Sequence, residues 1–362
     1  MSKKIAILGG AYKNAGDFLI EKRSHDLLKE HLKECDITLL KRNINYSDRI
    51  DELNEYDALV FSGGPGYQPA MYPNAMPFVD NLDEISAPLF IMGWGWKGLC
   101  TDDYSVYQNY KLFPGMLSFL HKVQSSGLTL GRRDWYTKRV LKKNGLTDLI
   151  MTGCPAWYDL EYVNQTKLSV GGIGDQPVIC ISDPAFISNI ALAIRLLRQM
   201  RELYPSSIIK YVFHRGITSE NEVVMENGLF DRLGVQAVDI SGSVDGFSIY
   251  DQCDLHIGFR VHAHIYSLSK RRITILINED ARGNGVNHAL GLEDINVLTH
   301  YKTRAENLLN KKSETQNFEE RICDYLAYIQ DSDYKQYRTA FHNMQDYYEV
   351  MKKHIHNIEN KW

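Results

Sequence analysis

Short apolar runs that end in glycine or charged residues, each followed by an amphipathic stretch, recur along this chain and leave little freedom in its fold. Ile5–Leu8 runs into Gly9-Gly-Ala-Tyr-Lys-Asn-Ala-Gly-Asp17, and Ala58–Phe61 into Ser62-Gly-Gly-Pro-Gly66. Pro88–Met92 leads to Gly93-Trp-Gly-Trp-Lys-Gly98, Leu128–Leu130 to Gly131-Arg-Arg-Asp134, and Leu149–Met151 to Thr152-Gly-Cys-Pro-Ala156. Ile37–Leu40 is a further run in this first series, and a helix is predicted over 18–32. A second series reads Val178–Ile181, Ile208–Phe213, Gln236–Asp239, Leu255–Gly258 and Ile273–Ile277, with helices predicted over 187–203 and near 220–229. Apolar runs too short for a helix interior, alternating with helical patterns, predict parallel strands covered on both faces.

At 362 residues the chain exceeds the usual size of one hydrophobic core. The reading is α/β: two Rossmann-like domains facing a cleft (GT-B-like), with a C-terminal helical extension. The first domain is expected over 1–165, the second over 176–320 and the extension over 321–362, with the polar, glycine-containing segment 164–175 as linker. Phe341, Met344, Tyr348, Met351, Ile355, Ile358 and Trp362 recur at helical spacing. That stripe is expected to pack on the body or on a second copy of the chain, which leaves a homo-oligomer open.

Charge excludes some partners. With 41 basic and 45 acidic residues the net charge is −4, too balanced for a nucleic-acid or anionic-membrane partner. No apolar run reaches the length needed to span a bilayer, and the apolar start is too short for a signal peptide. Six dispersed cysteines with no C-x-x-C pair suit reduced thiols and a cytoplasmic setting. An anion bound by this chain must be held by a local site.

Gly258-Phe-Arg-Val-His-Ala-His264 offers such a site, because Arg260 and His262 sit where a strand hands over to a helix. A guanidinium can grip two oxygens, and a helix N-terminus adds backbone donors. His264 shares a face with His262 only if the segment stays extended. Neither histidine has a cysteine or third histidine close by, so no metal is expected. In the first loop, Asn14 and Asp17 stand at a helix start, where Asp17 either caps the helix or faces the cleft to orient or deprotonate a hydroxyl. Arg132 and Arg133 are adjacent at a strand end, so one of the two is expected to reach the cleft.

Taken together, Asn14-Ala-Gly-Asp17, Ser62-Gly-Gly64, Arg133-Asp134 with Thr137, and Arg260-Val-His262 resemble the polysaccharide pyruvyltransferase family, over about residues 5–292. One departure is Gly153-Cys154-Pro155, where family members often carry Gly-Asp-Pro. The resemblance implies transfer of an enolpyruvyl group from phosphoenolpyruvate to a sugar diol of a bacterial polysaccharide or its precursor, giving a pyruvate ketal without a cofactor. It implies His262 and Asp17 as catalytic residues. Arg260, Arg133 and Arg132 would then bind the donor on the second domain's side. Asn14, Gly64, Trp94 and Trp96 would bind the saccharide acceptor on the first. Two other readings stay open. A GT-B glycosyltransferase using a nucleotide sugar would place Glu279 or Asp280 near the donor ribose. A non-catalytic glycan-binding protein could share the fold.

Overall fold

The computed structural model describes residues 2–98, 104–222, 225, 228–297 and 317–361. Two six-stranded parallel sheets form the body. The first comprises β1 (Lys3–Gly9), β2 (Cys35–Lys41), β3 (Ala58–Tyr67), β4 (Leu89–Trp96), β5 (Leu130–Arg132) and β6 (Leu149–Met151), in the order β2-β1-β3-β4-β5-β6. The second comprises β7 (Val178–Ser182), β8 (Ile208–Phe213), β9 (Val235–Asp239), β10 (Leu255–Gly258), β11 (Thr274–Asn278) and β12 (Ile295–Asn296), in the order β12-β11-β10-β7-β8-β9. The helices used below are α1 (Ala15–His31), α2 (Pro114–Ser125), α3 (Trp135–Lys143), α4 (Ile190–Leu203), α5 (Val261–Ser269), α6 (Ala281–Leu290), α7 (Phe318–Asp331) and α8 (Lys335–Glu359).

Strand order fixes where a ligand can enter. In a parallel sheet a crevice opens beyond the carboxyl ends of two neighbouring strands whose connections leave in opposite directions. In the first sheet those strands are β1 and β3, and in the second they are β7 and β10. The strand ends, loops and helix starts there carry Asn14 and Asp17, Ser62-Gly-Gly64, Asp183, and Arg260 with His262. The backbone joins the two sides directly: Ala15 N–H donates to His214 O at 3.0 Å and Gly242 N–H to Lys13 O at 2.9 Å.

One of the sequence expectations needs correcting here. The apolar run at Pro88 does not stop at Met92. It continues as β4, pairing Gly64 with Trp94 and Tyr67 with Trp96 along β3. Side chains alternate along a strand, so both tryptophans point to one face. That face is core. Trp94 packs against Phe61, Tyr67 and Phe119, on α2, with centroids 5.6–6.0 Å apart, and its Nε1–H donates to Ser62 O at 2.9 Å. Trp96 packs against Tyr107 and Tyr110. Both are fully buried and have no face left for a sugar, so neither is an acceptor residue.

The C-terminal helices pack on the body. α7 leans on α4, while α8 lies across both halves. His354 donates to Ile91 O at 3.0 Å, Tyr348 bonds His31 at 2.9 Å and Trp135 donates to Tyr347 at 3.1 Å, all on the first half. Tyr347 also donates to Ala289 O, and Asn343 to Leu290 O, on the second half. The stripe from Phe341 to Ile358 is buried against the body, and Trp362 lies outside the described residues. No helix among the described residues is long and apolar enough to cross a membrane.

Candidate active site

On the first half the site is built by α1 and the loop before it. The helix begins at Ala15, earlier than its pattern predicts, so Asn14 is the N-cap residue and Asp17 stands in the first turn. Asn14 Nδ2 donates to Asp17 Oδ2 at 3.1 Å. One turn on, Glu21 accepts from Ala11 N–H at 2.7 Å and so holds the loop in shape. Burial pushes the Glu21 carboxyl up from its ordinary value, against the pull of the Ala11 amide and Lys41. Arg42, which follows β2, lays its guanidinium over Gly10 and close to Asp17 and Glu21. Gly64, at φ +90°, is buried, and a Cβ there would be in ordinary contact with Ile20 and Arg42. The aromatic side chain that does stand open on this loop is Tyr12, 88% exposed.

On the second half a buried polar relay sets the start of α5. Arg260 N–H donates to Ser182 Oγ at 3.0 Å, and Ser182 bonds His256 Nε2 at 3.0 Å. His256 Nδ1 meets Thr274 Oγ1 at 2.7 Å, and Thr274 meets His264 Nδ1 at 2.9 Å. His264 then reaches Asn287 Oδ1 at 3.1 Å. Because α5 begins at Val261, residues 262 and 264 point in different directions. His264 is spent on the relay, and His262 faces the other half.

Asp183 takes the Arg260 fork: Nε donates to Oδ1 at 2.7 Å, and Nη2 also contacts the carboxylate. The charge of Arg260 is therefore largely balanced before any ligand arrives. A narrow pocket beside it is lined by Asn14, His214, Arg215, Arg260, His262 and Arg282. Arg282 is bound by Asp280, Nε to Oδ1 at 2.9 Å and Nη2 to Oδ2 at 2.7 Å. Burial, followed by Arg282, Arg133, Arg260 and Arg215, drives the His262 imidazole down to about 3. His262 is neutral at pH 7 in the empty pocket.

The two adjacent arginines separate. β5 ends at Arg132, whose guanidinium stacks 4.7 Å from the Trp135 ring and donates to Met151 Sδ at 3.2 Å. It points into the protein away from the pocket, so Arg132 is not a donor-binding residue. Arg133 runs the other way across Gly95, where a Cβ would collide with it, and adds its charge to the surroundings of His262. Asp134 caps α3 by accepting from Thr137 N–H at 2.7 Å, and Thr137 Oγ1 accepts from Trp96 N–H. The Arg133-Asp134-x-x-Thr137 spacing is thus a brace that aims one arginine. Cys154 is buried next to Gly63, and burial raises its thiol.

Glu21, Arg42, Asp183, Arg215 and Arg282 were not among the residues expected from sequence. Arg42, Asp183 and Arg215 each follow a different strand, Glu21 lies one turn into α1 and Arg282 at the start of α6, with no shared local motif to mark them. Only the strand order brings them together.

The family signature of polysaccharide pyruvyl transferases matches residues 14–280. The chain belongs to that family. It is accordingly an enzyme of the pyruvyl transferase type. Among solved structures it resembles UDP-GlcNAc 2-epimerase from Neisseria meningitidis bound to UDP-GlcNAc, with 13% identity, TM-score 0.52, and 99% of this chain and 100% of that chain covered. A glycosyltransferase from Rickettsia africae gives 13% identity, TM-score 0.52 and coverage of 99% and 98%. At that identity the likeness speaks to the GT-B-like fold of this pyruvyl transferase. No curated protein sequence matches the chain.

Proposed function

We propose that this pyruvyl transferase moves an enolpyruvyl group from phosphoenolpyruvate to two hydroxyls of a saccharide, closing a cyclic pyruvate ketal. The observation that carries the reading is the neutral His262 ringed by the guanidiniums of Arg133, Arg215, Arg260 and Arg282. That environment suits a small, highly charged anion and favours protonation of His262 once the anion's charge enters. His262 then delivers its proton to the methylene carbon as a sugar hydroxyl attacks the neighbouring carbon. Asp17, across the cleft, accepts the proton of that hydroxyl. The carbon–oxygen bond to phosphate breaks, and the second hydroxyl adds to the same carbon, losing its proton to solvent or Asp17. The products are the ketal and inorganic phosphate.

The acceptor belongs on the α1 side, where Asn14, Asp17 and Arg42 offer hydrogen bonds to hydroxyls and Tyr12 offers a ring face. A nucleotide-sugar donor is less well served. Glu279, the residue that would meet a ribose, instead accepts from Ala185 N–H, Phe186 N–H and Asn189 Nδ2 at 2.7–3.2 Å. Incubation with phosphoenolpyruvate and candidate bacterial glycans tests the reading through phosphate release together with a mass gain on the glycan. Binding of nucleotide sugars with no response to phosphoenolpyruvate would sink it.

A further inference from the structure

Three guanidiniums line the pocket beside His262, and their surroundings differ. Asp183 holds the fork of Arg260, whose Nη2 also donates to Pro184 O at 3.2 Å. Asp280 chelates Arg282 through both oxygens. Arg215 makes no hydrogen bond or ion pair among the described residues; Arg260 and Arg282 repel it, and Asp17 and Asp183 attract it more weakly. Lys97, reaching in from the end of β4, lies near Arg282 and Arg215 and adds to the crowding.

The backbone at this position is fixed even though the side chain is free. His214, immediately before, is fully buried, and its amide donates to Asp183 Oδ1 at 3.2 Å. Its carbonyl accepts from Ala15 N–H at 3.0 Å, and its ring bonds Tyr250 at 2.7 Å. Arg215 is thus delivered to the pocket by a rigid strand end. The cost of its partial burial and the repulsion of Arg260 and Arg282 outweigh the attraction that Asp17 and Asp183 exert on its charge.

We propose that Arg215, and not Arg260, is the residue that grips the oxygens of the anionic donor. The inference rests on the reading that the donor is a small phosphorylated carboxylate. A free guanidinium can offer two parallel N–H groups to a phosphate or carboxylate, whereas the fork of Arg260 already serves Asp183. Arg260 then acts as a positioning residue: it fixes the β7 and β10 loops through Asp183 and supplies background charge.

The test compares the full-length wild type with Arg215→Gln and Arg215→Lys, titrated calorimetrically with phosphoenolpyruvate and, separately, with inorganic phosphate. Melting temperatures are taken without ligand. Arg215→Gln should lose roughly ten- to a hundredfold in phosphoenolpyruvate affinity, and Arg215→Lys should recover only part of it. Arg215→Gln removes the repulsion of Arg260 and Arg282 together with the weaker attraction of Asp17 and Asp183, and loses no hydrogen bond, so the unliganded protein should melt at the wild-type temperature or above. Wild-type phosphoenolpyruvate binding that Arg215→Gln leaves within about twofold overturns the assignment. A lower melting temperature in the unliganded variant also overturns it, since that marks a structural role. If the wild type binds inorganic phosphate but not phosphoenolpyruvate, the donor reading itself fails, a result distinct from either of these.

Discussion

Gly16 in α1 and His262 in α5 occupy one another's space across the cleft: a Cβ on residue 16 would overlap the imidazole at Nδ1. The glycine of Asn14-Ala-Gly-Asp17 therefore admits the histidine of the opposite half. Helix propensity taken alone says that Gly16→Ala should stabilise α1 by up to about 1 kcal/mol. The contact says that the halves must part or the imidazole must turn. We expect turnover to fall at least about tenfold in Gly16→Ala, as a small displacement of a reacting group does. Steady-state kinetics with a melting curve check this, and wild-type turnover would show that the halves close differently during catalysis.

His262 and His264 should separate cleanly. His262→Ala should abolish turnover and leave the fold intact, because its ring makes no bond within the protein that the relay needs. His264→Ala strips a partner from both Thr274 and Asn287 in the core and should cost about 1–3 kcal/mol for each group left unsatisfied. Activity and thermal stability measured on both variants decide it, and the reverse pattern would exchange their roles.

Donor binding should take up a proton near pH 7. The empty-site value of His262 is about 3, lowered first by burial and then by four guanidiniums, and entry of a polyanion must raise it. Calorimetry of phosphoenolpyruvate binding in buffers of different ionisation enthalpy reads the uptake, which His262→Gln should remove. No dependence on buffer would mean that His262 stays neutral in the complex.

Stability should fall on mild acidification. His262 and His264 lie at about 3 and His354 at about 4, while His214 and His256 lie well below the ordinary 6.5, all chiefly through burial. The unfolded chain thus binds more protons than the folded one below pH 6.5, so their contribution is complete above 6.5 and is lost as pH drops toward 4. Glu279, raised to about 7 by burial, opposes this between its ordinary 4.5 and 7, and Glu21, also raised by burial, opposes it above its ordinary 4.5, but they are two groups against five. Melting temperature followed from pH 8 to 4 should be level and then decline; a rise on acidification would contradict these assignments.

Asp17→Asn should leave phosphoenolpyruvate affinity level or slightly improved and lower turnover by roughly 10²–10⁴. Helix capping does not account for Asp17, because Asn14 is the N-cap residue and Asp17 only lies in the first turn. Loss of its charge there should cost no more than about 1 kcal/mol of stability. Near-wild-type turnover would remove it from catalysis.

The alternation of strand and helix was legible in the sequence because each strand is a closed apolar run with its own terminator. Arg260 and His262 were legible because both lie on one handover. The depth of Trp94 and Trp96 has a sequence signal: Gly93-Trp-Gly-Trp96 has the two-residue period of one strand face, and the glycines continue the strand instead of ending it. The divergence of Arg132 and Arg133 was foreseen only as a choice, since it depends on β5 ending between them. Asp183, Arg215 and Arg42 were invisible for a different reason. Each follows a different strand, and their convergence is a property of strand order and not of neighbouring residues.

The path of α8 bears on how the molecule comes to be assembled. Synthesis runs from the first sheet to the second and only afterwards reaches Lys335–Glu359, so both sheets exist before the helix that seals them. Until then Phe90, which stacks on His354, and the Ile91 carbonyl have no cover, and the same holds for the ends of α6 at Ala289 and Leu290. A nascent chain stalled before α8 would therefore carry two nearly finished halves with sticky, mismatched backs, a natural client for a chaperone. α8 would then add the last contacts that span both halves, beside the backbone bonds of Ala15 with His214 and of Lys13 with Gly242.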